Sequence, residues 1–159
     1  MFAWLLAALP GNADDRSYTT FATRLTLEDG RGKVAQTFAA GERITLVLAI
    51  ENLSDSPQTL CGHAGRLTSY RVLRLADDDP LWDSRARGVV TPLPTVGEVP
   101  FEPGETKVFA VGWDQRGDDG QPVGCGAFEA RAFLALDGTA GSAGELGGDA
   151  AATARFTIR

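Results

Sequence analysis

The clearest β-strand pattern in this chain is the segment Glu42-Arg-Ile-Thr-Leu-Val-Leu-Ala-Ile-Glu51. Every second side chain in it is a large aliphatic group, at Ile44, Leu46, Leu48 and Ile50. Successive side chains of a β-strand point to opposite faces, so all four lie on one face of an extended strand. The stretch therefore predicts a strand with one face buried in a core.

Other stretches with the same period of two occur on both sides of it. They cover residues 18–27, 58–61, 67–75, 81–85, 106–113, 126–136 and 154–158. Turn residues separate them, and the chain has 19 Gly and 8 Pro. We interpret 76–80 as a hairpin turn, 88–103 as a Pro-rich connection and 137–152 as a flexible Gly/Ala-rich loop. This spacing predicts an all-β fold, a single antiparallel β-sandwich over residues 17–159.

Composition excludes several function classes. The 159 residues carry 15 Lys+Arg and 21 Asp+Glu, a formal charge of −6, and no basic cluster that could bind nucleic acid. His63 is the only histidine, which excludes sites built from several histidines. No nucleophile, base and acid can be combined into a catalytic set, so we expect neither an enzyme nor a cofactor.

The N-terminal residues form a separate unit. An apolar run from Met1 to Leu9 is followed by small residues, which is typical of a signal peptide over 1–13. A disordered leader is the alternative. The run is too short to cross a bilayer, which takes about 20 residues, and no later stretch could do so. We expect a monomer exported to the periplasm or cell envelope, or a cytoplasmic protein if the run is not a signal peptide.

Four landmarks occur in order along the chain. They are Gly41-Glu42 with Ile50-Glu-Asn52, then Arg66-Leu-Thr-Ser-Tyr70-Arg-Val72, then Leu81-Trp82, and finally Pro103-Gly104-Glu105 through Trp113-Asp-Gln115 to Gly124-Cys-Gly126-Ala-Phe128-Glu-Ala130. Together they resemble the BsuPI-type intracellular proteinase inhibitor domain, over residues 36–136. The resemblance implies an immunoglobulin-like β-sandwich and, as in the founding member, inhibition of a subtilisin-like serine protease. The alternative is a structural or accessory domain of the bacterial cell envelope that inhibits nothing.

The landmark residues are best explained as scaffold. Pro103-Gly104 suits a tight turn, because proline presets φ and glycine accepts a positive φ. Aromatic side chains in strands are more often core than ligand platforms. We therefore assign a scaffold role to Tyr70, Trp82, Pro103, Gly104, Trp113, Gly126 and Phe128.

An inhibitory loop must enter a protease cleft in an extended form and lose little entropy on docking. The segment 84–94 is our candidate, because its prolines restrict the backbone and it is long for a sandwich connection. A protease pocket specific for basic side chains would accept Arg85 or Arg87, and a broader apolar pocket would accept Val89, Val90 or Leu93. The alternative is an ordinary crossover between the sheets.

Cys61 and Cys125 are the only cysteines. Export with an even cysteine count favours a disulfide between them, and two buried thiols are the alternative. A metal site with His63 would lack a fourth ligand. The acidic segment 114–120 lacks the spacing of a calcium loop and suits a solvated turn, and Asn52-Leu-Ser54 is a glycosylation sequon.

Overall fold

Ten β-strands and no helix make up the residues that the structure, a computed structural model, describes: 20–62, 67–86, 98–134 and 151–159. The predicted leader 1–13 and the predicted loop up to residue 150 lie outside these residues. The strands are β1 (Phe21–Glu28), β2 (Thr37–Phe38), β3 (Ile44–Asn52), β4 (Gln58–Cys61), β5 (Thr68–Arg74), β6 (Asp79–Asp83), β7 (Glu98–Phe101), β8 (Thr106–Trp113), β9 (Gly126–Leu134) and β10 (Ala152–Ile158).

The strands form two facing sheets and one short ribbon. The first sheet has the order β1-β3-β8, the second β2-β10-β9-β5-β6, and the ribbon pairs β4 with β7. The orders β1-β3-β8 and β10-β9-β5-β6 correspond to strands A-B-E and G-F-C-C′ of immunoglobulin domains. The immunoglobulin-like β-sandwich is thus the fold of this chain. One pair departs from the expected antiparallel arrangement, because β2 runs parallel to the end of β10.

The core lies between the two sheets. Its central strand is β3, whose apolar residues alternate with half-buried ones as the sequence predicts. On the neighbouring strand β8, the ring of Trp113 meets that of Phe156 from the facing sheet edge to face at 6.1 Å, and Phe128 stacks on Phe156 at 5.5 Å. Trp82 is also buried here, with its ring 6.1 Å from that of Trp113. The period of two places these side chains inward.

Tyr70 joins the two sheets through a polar contact. Its hydroxyl, buried in the core, donates a hydrogen bond to the carbonyl of Phe109 on β8 at 3.0 Å. Burial raises the pKa of Tyr70 to about 12, because the phenolate would lose its hydration. The Tyr70 hydroxyl is therefore protonated at neutral pH and can donate this hydrogen bond.

Three predicted connections extend into residues that form strands. The Pro-rich connection 88–103 contains β7, and proline is accepted there because Pro100 lies on an edge strand. The turn predicted at 76–80 ends earlier, since Asp79 already pairs with Arg74 in β6. The predicted loop 137–152 overlaps the start of β10, where Ala152 pairs with Ala132.

Candidate functional site

One carboxylate holds the residues that lead from β6 into the candidate loop 84–94, which we call the N-terminal root of the loop. Asp83, the last residue of β6, accepts hydrogen bonds from the Arg85 backbone N–H at 2.9 Å and from the Arg85 guanidinium at 2.7 Å. It also accepts a bond from Nε of Arg71 on the neighbouring strand at 2.9 Å. A turn forms at the same point, where the Ala86 N–H donates to the Asp83 carbonyl. The backbone therefore leaves β6 in a defined direction.

A second contact ties this root to the core. The Ser84 hydroxyl oxygen, buried, accepts a hydrogen bond from the Tyr70 N–H at 2.9 Å, and the Ser84 N–H donates to the Tyr70 carbonyl. Ser84 thus extends the pairing between β5 and β6 beyond the last strand residue.

Asp83 is ionised under ordinary conditions. Its partial burial raises the pKa, but the hydrogen bonds from Arg85 and Arg71 outweigh this and lower the pKa of Asp83 to about 2. The same bond raises the pKa of the Arg85 guanidinium. Asp83 and Arg85 of the Arg71–Asp83–Arg85 cluster are therefore both charged at neutral pH.

The structure places Arg85 at the base of the candidate loop. Its side chain is only 33% exposed and is held against Asp83, so it is an anchor and is not free to enter a partner's pocket. The other candidate loop residues, Arg87, Val89, Val90 and Leu93, lie outside the described residues.

The C-terminal root is fixed by the ribbon of β4 and β7. Val99 and Phe101 of β7 are buried, and the Phe101 ring meets that of Phe21 edge to face at 5.2 Å. Asn52, the last residue of β3, also holds this strand, because its amide nitrogen donates hydrogen bonds to the carbonyls of Phe101 and Glu102. The sandwich thus holds the chain up to Ala86 and again from Glu98 onward. Between these two residues lies segment 87–97, which contains the candidate loop residues from Arg87 to Leu93.

Asn52 cannot be a glycosylation site in this fold. The residue is fully buried, and its side-chain oxygen accepts hydrogen bonds from the backbone N–H and hydroxyl of Ser54. The burial of Asn52 could be predicted from the sequence, because Asn52 continues the alternation that directs every second residue of β3, from Ile44 to Ile50, into the core. A buried amide at such a position must find polar partners.

The acidic segment after β8 is a structured turn. Gln115, buried and with a φ of +59°, accepts a bond from the Gly41 N–H and donates to the carbonyls of Ala39 and Glu42. Asp119 accepts the Gln121 N–H within the same turn. In the described part of the chain, no group of three His, Cys, Asp or Glu residues is arranged to hold a metal ion.

A shallow groove of about 300 Å³ lies between β6 and this turn. Leu81 and Pro122 form its apolar part, and Arg74, Asp118 and Asp119 its charged part. Asp118 is already engaged, because its carboxylate accepts the Asp83 N–H. The groove thus adjoins the N-terminal root of the candidate loop.

The two cysteines are free and exposed in the structure, so the expected disulfide is not formed there. Cys61 ends β4, which begins beside the Asn52 end of β3. Cys125 precedes β9, next to Gly124, which lines a small depression with Gly41 and Gln115. The sequence shows which strands the cysteines flank, but it does not show at which end of the sandwich each strand stops. The alternative of two buried thiols does not apply either.

None of the elements in the described ranges is a helix long and apolar enough to cross a bilayer.

Comparison with known proteins shows the fold alone. No protein-family model and no curated protein matches the chain. Among solved structures it is similar to a part of the alkylpurine DNA glycosylase AlkC from Pseudomonas fluorescens, bound to DNA containing an abasic site analog. The TM-score is 0.50 at 12% identity, over 88% of this chain and 30% of that one.

Two other similar structures are more distant. A β-glucosidase from Listeria innocua has a TM-score of 0.46 at 12% identity, over 90% of this chain and 16% of that one. The CARDB domain of PF1109 from Pyrococcus furiosus has a TM-score of 0.43 at 13% identity, over 87% of this chain and 91% of that one. The chain spans less than a third of AlkC and of the glucosidase, so the activities of those proteins are not transferred to it.

Proposed function

We propose that this chain is an exported protein-binding domain that blocks a subtilisin-like serine protease with segment 87–97. One observation carries the proposal: both roots of the segment are anchored, the first by the Arg71–Asp83–Arg85 cluster and the second by β7. The resemblance of the landmark residues to BsuPI-type inhibitor domains supports the same function.

Anchored roots matter because a binding loop loses conformational entropy when it docks. Each side chain or backbone segment that is already fixed lowers this cost, and a lower cost means tighter binding for the same contacts. Pro92 and Pro94 restrict φ within the segment. A substrate-like loop on a rigid frame is the arrangement expected of a protein inhibitor.

The anchored Arg85 narrows the choice of target. With Arg85 held by Asp83, Arg87 is the one remaining arginine of the candidate segment, whereas Val89, Val90 and Leu93 are apolar. The composition of the segment therefore favours a protease with a broad apolar pocket. Since the chain carries a charge of −6, we do not extend the DNA binding named for AlkC to it.

An accessory envelope domain that inhibits nothing is the second candidate. The ion pair between Arg85 and Asp83 favours the accessory domain, because such a pair can also hold the start of an ordinary crossover between the two sheets. The two candidates differ in whether segment 87–97 enters a protease cleft.

The test is a titration of the full chain against a subtilisin-like and a trypsin-like protease. Residual activity is followed together with mass spectrometry of the chain. We expect stoichiometric loss of subtilisin-like activity near one-to-one and slow cleavage confined to 87–97. Full activity of both proteases beside an intact chain would contradict inhibition and favour the accessory domain.

Matched variants assign the class of pocket. Leu93→Asp should weaken inhibition of the subtilisin-like enzyme, whereas Arg87→Ser should leave it unchanged. The reverse order would assign the loop to a basic-specific protease.

A further inference from the structure

The outer side of β8 is an open sheet edge. β8 ends the order β1-β3-β8, and no strand in the described ranges pairs with its other side. The Asn52 N–H donates to the Glu105 carbonyl at 3.0 Å, so in the alternating antiparallel ladder the odd-numbered residues of β8 bond to β3. The backbone groups that face away from β3 belong to Thr106, Val108, Ala110 and Gly112.

None of these four residues protects the edge. The side chains of Thr106, Val108 and Ala110 lie on the outer face and are uncharged, Gly112 has no side chain, and Val108 is 61% exposed. Natural proteins usually block open edges with outward lysines, prolines or bulges. The lysine of this strand does not do so: Lys107 has the opposite parity and bonds to Glu105, above the Phe101 ring.

We propose that a second copy of this chain pairs with β8 through its own β8, antiparallel and about a two-fold axis at Phe109. Val108 then lies opposite the partner's Ala110, and Thr106 opposite the partner's Gly112. Every outward N–H and C=O of the four residues is paired in this register. The result is a continuous six-stranded sheet, and the inference does not depend on protease inhibition.

Charge complementarity selects a second copy over an unrelated peptide. The Arg43 guanidinium lies flat over Gly112, since a Cβ built there would be 2.8 Å from its Cζ. Glu51 lies beside Thr106, its register partner on β3. In the described part of the chain neither Arg43 nor Glu51 forms an ion pair. The proposed register places Gly112 beside the partner's Thr106, and so brings Arg43 toward the partner's Glu51, twice by symmetry.

The register also avoids repulsion. Lys107 lies opposite the partner's Val111, so no two like charges face each other across the axis. The larger Val108 meets the smaller side chain of the partner's Ala110 on the outer face. A shift by two residues would leave outward groups unpaired at both ends and separate Arg43 from the partner's Glu51.

Sedimentation velocity of the full chain over a range of concentrations tests this. We expect a reversible dimer that weakens in high salt, because exposed ion pairs are screened. Arg43→Glu and Glu51→Arg should each weaken the dimer about tenfold, through two altered pairs per dimer. The variant with both substitutions should regain the wild-type dissociation constant, which a loss of folding would not allow.

Val108→Lys supplies an independent test. It places two lysines on the same face across the axis and should abolish the dimer. Thr26→Lys adds the same charge to the outer face of β1, away from the β8 edge, and should leave the dimer unchanged. A wild-type chain that stays monomeric at every concentration, a double variant that does not recover, or a dimer that survives Val108→Lys would each overturn the proposal.

Discussion

Asp83 is the residue on which the N-terminal root of the candidate loop depends. Its carboxylate accepts the Arg85 backbone N–H, the Arg85 guanidinium and Arg71 Nε. The sequence analysis predicted that Arg85 contacts a protease, because arginine suits a pocket specific for basic side chains. It could not show that Asp83, two residues earlier, holds Arg85. An aspartate side chain often accepts the backbone N–H two residues later in a turn, as Asp83 does in Asp83-Ser-Arg85. An aspartate at the end of a strand can therefore indicate where a loop is anchored.

Replacing Asp83 by Asn should lower the free energy of unfolding by about 1–3 kcal/mol at pH 7, because two charge-assisted bonds are lost. Denaturant unfolding measures the loss. Asp114→Asn is the control, since the Asp114 carboxylate is 71% exposed and 4.0 Å from its arginine, and it should change stability by less than about 0.5 kcal/mol.

The effect of Asp83 should depend on pH in a definite direction. Its folded pKa of about 2 lies below its ordinary value of 3.8, so its stabilisation is complete above pH 4 and is lost as the pH falls toward 2. The difference between wild type and Asp83→Asn should therefore shrink over this window. A difference that is constant from pH 7 to pH 2 would contradict the ion cluster.

At the scale of elements, local alternation predicts some strands very well. β4 and β8 begin and end where the sequence pattern places them, and β3 differs by only two residues at its start and one at its end. β7 was missed because Pro100 and its proline-rich surroundings predict a connection, and only pairing with β4 makes the strand. β2 was missed because two residues are too few to show a period.

Long-range polar contacts were beyond local patterns altogether. Gln115 bonds to the turn at residues 39–42, more than 70 positions earlier in the chain. The sequence shows that Gln115, two residues after the buried Trp113, should point into the core. It does not show which backbone groups the Gln115 side chain will bond to.

Phe101→Ala tests whether β7 is an integral part of the sandwich. The ring is fully buried against Phe21, so its removal should cost about 3–5 kcal/mol. Hydrogen exchange should increase most in β4, the strand that β7 pairs with. Leu53→Ala, at a side chain 53% exposed, is the control and should stay within about 0.5 kcal/mol. A Phe101→Ala protein as stable as wild type would show that the ribbon does not anchor segment 87–97.

At the scale of the whole molecule, the sequence predicts the class of fold but not how its ends are arranged. Alternating strands separated by turns indicate a sandwich, and the structure has two facing sheets in the immunoglobulin order. The end at which each loop lies depends on strand pairing, which one sequence does not display. For this reason the two cysteines were expected to form a disulfide, although both are free and exposed.

Thiol labelling of the native chain checks this arrangement. Both Cys61 and Cys125 are exposed, so a thiol reagent should modify both without denaturant or reductant. Cys61→Ser and Cys125→Ser should each leave one reactive thiol. A native chain that gains reactive thiols only after reduction would instead support the disulfide.

The most direct test of the proposed function is replacement of residues 87–97 by a Gly/Ser segment of equal length. The anchors at Asp83 and Phe101 are kept, so the unfolding free energy should stay close to that of wild type. The wild-type chain should inhibit a subtilisin-like protease stoichiometrically, and the replaced chain should not inhibit it. Equal inhibition by both chains, or inhibition by neither, would contradict the assignment of this segment as the inhibitory loop.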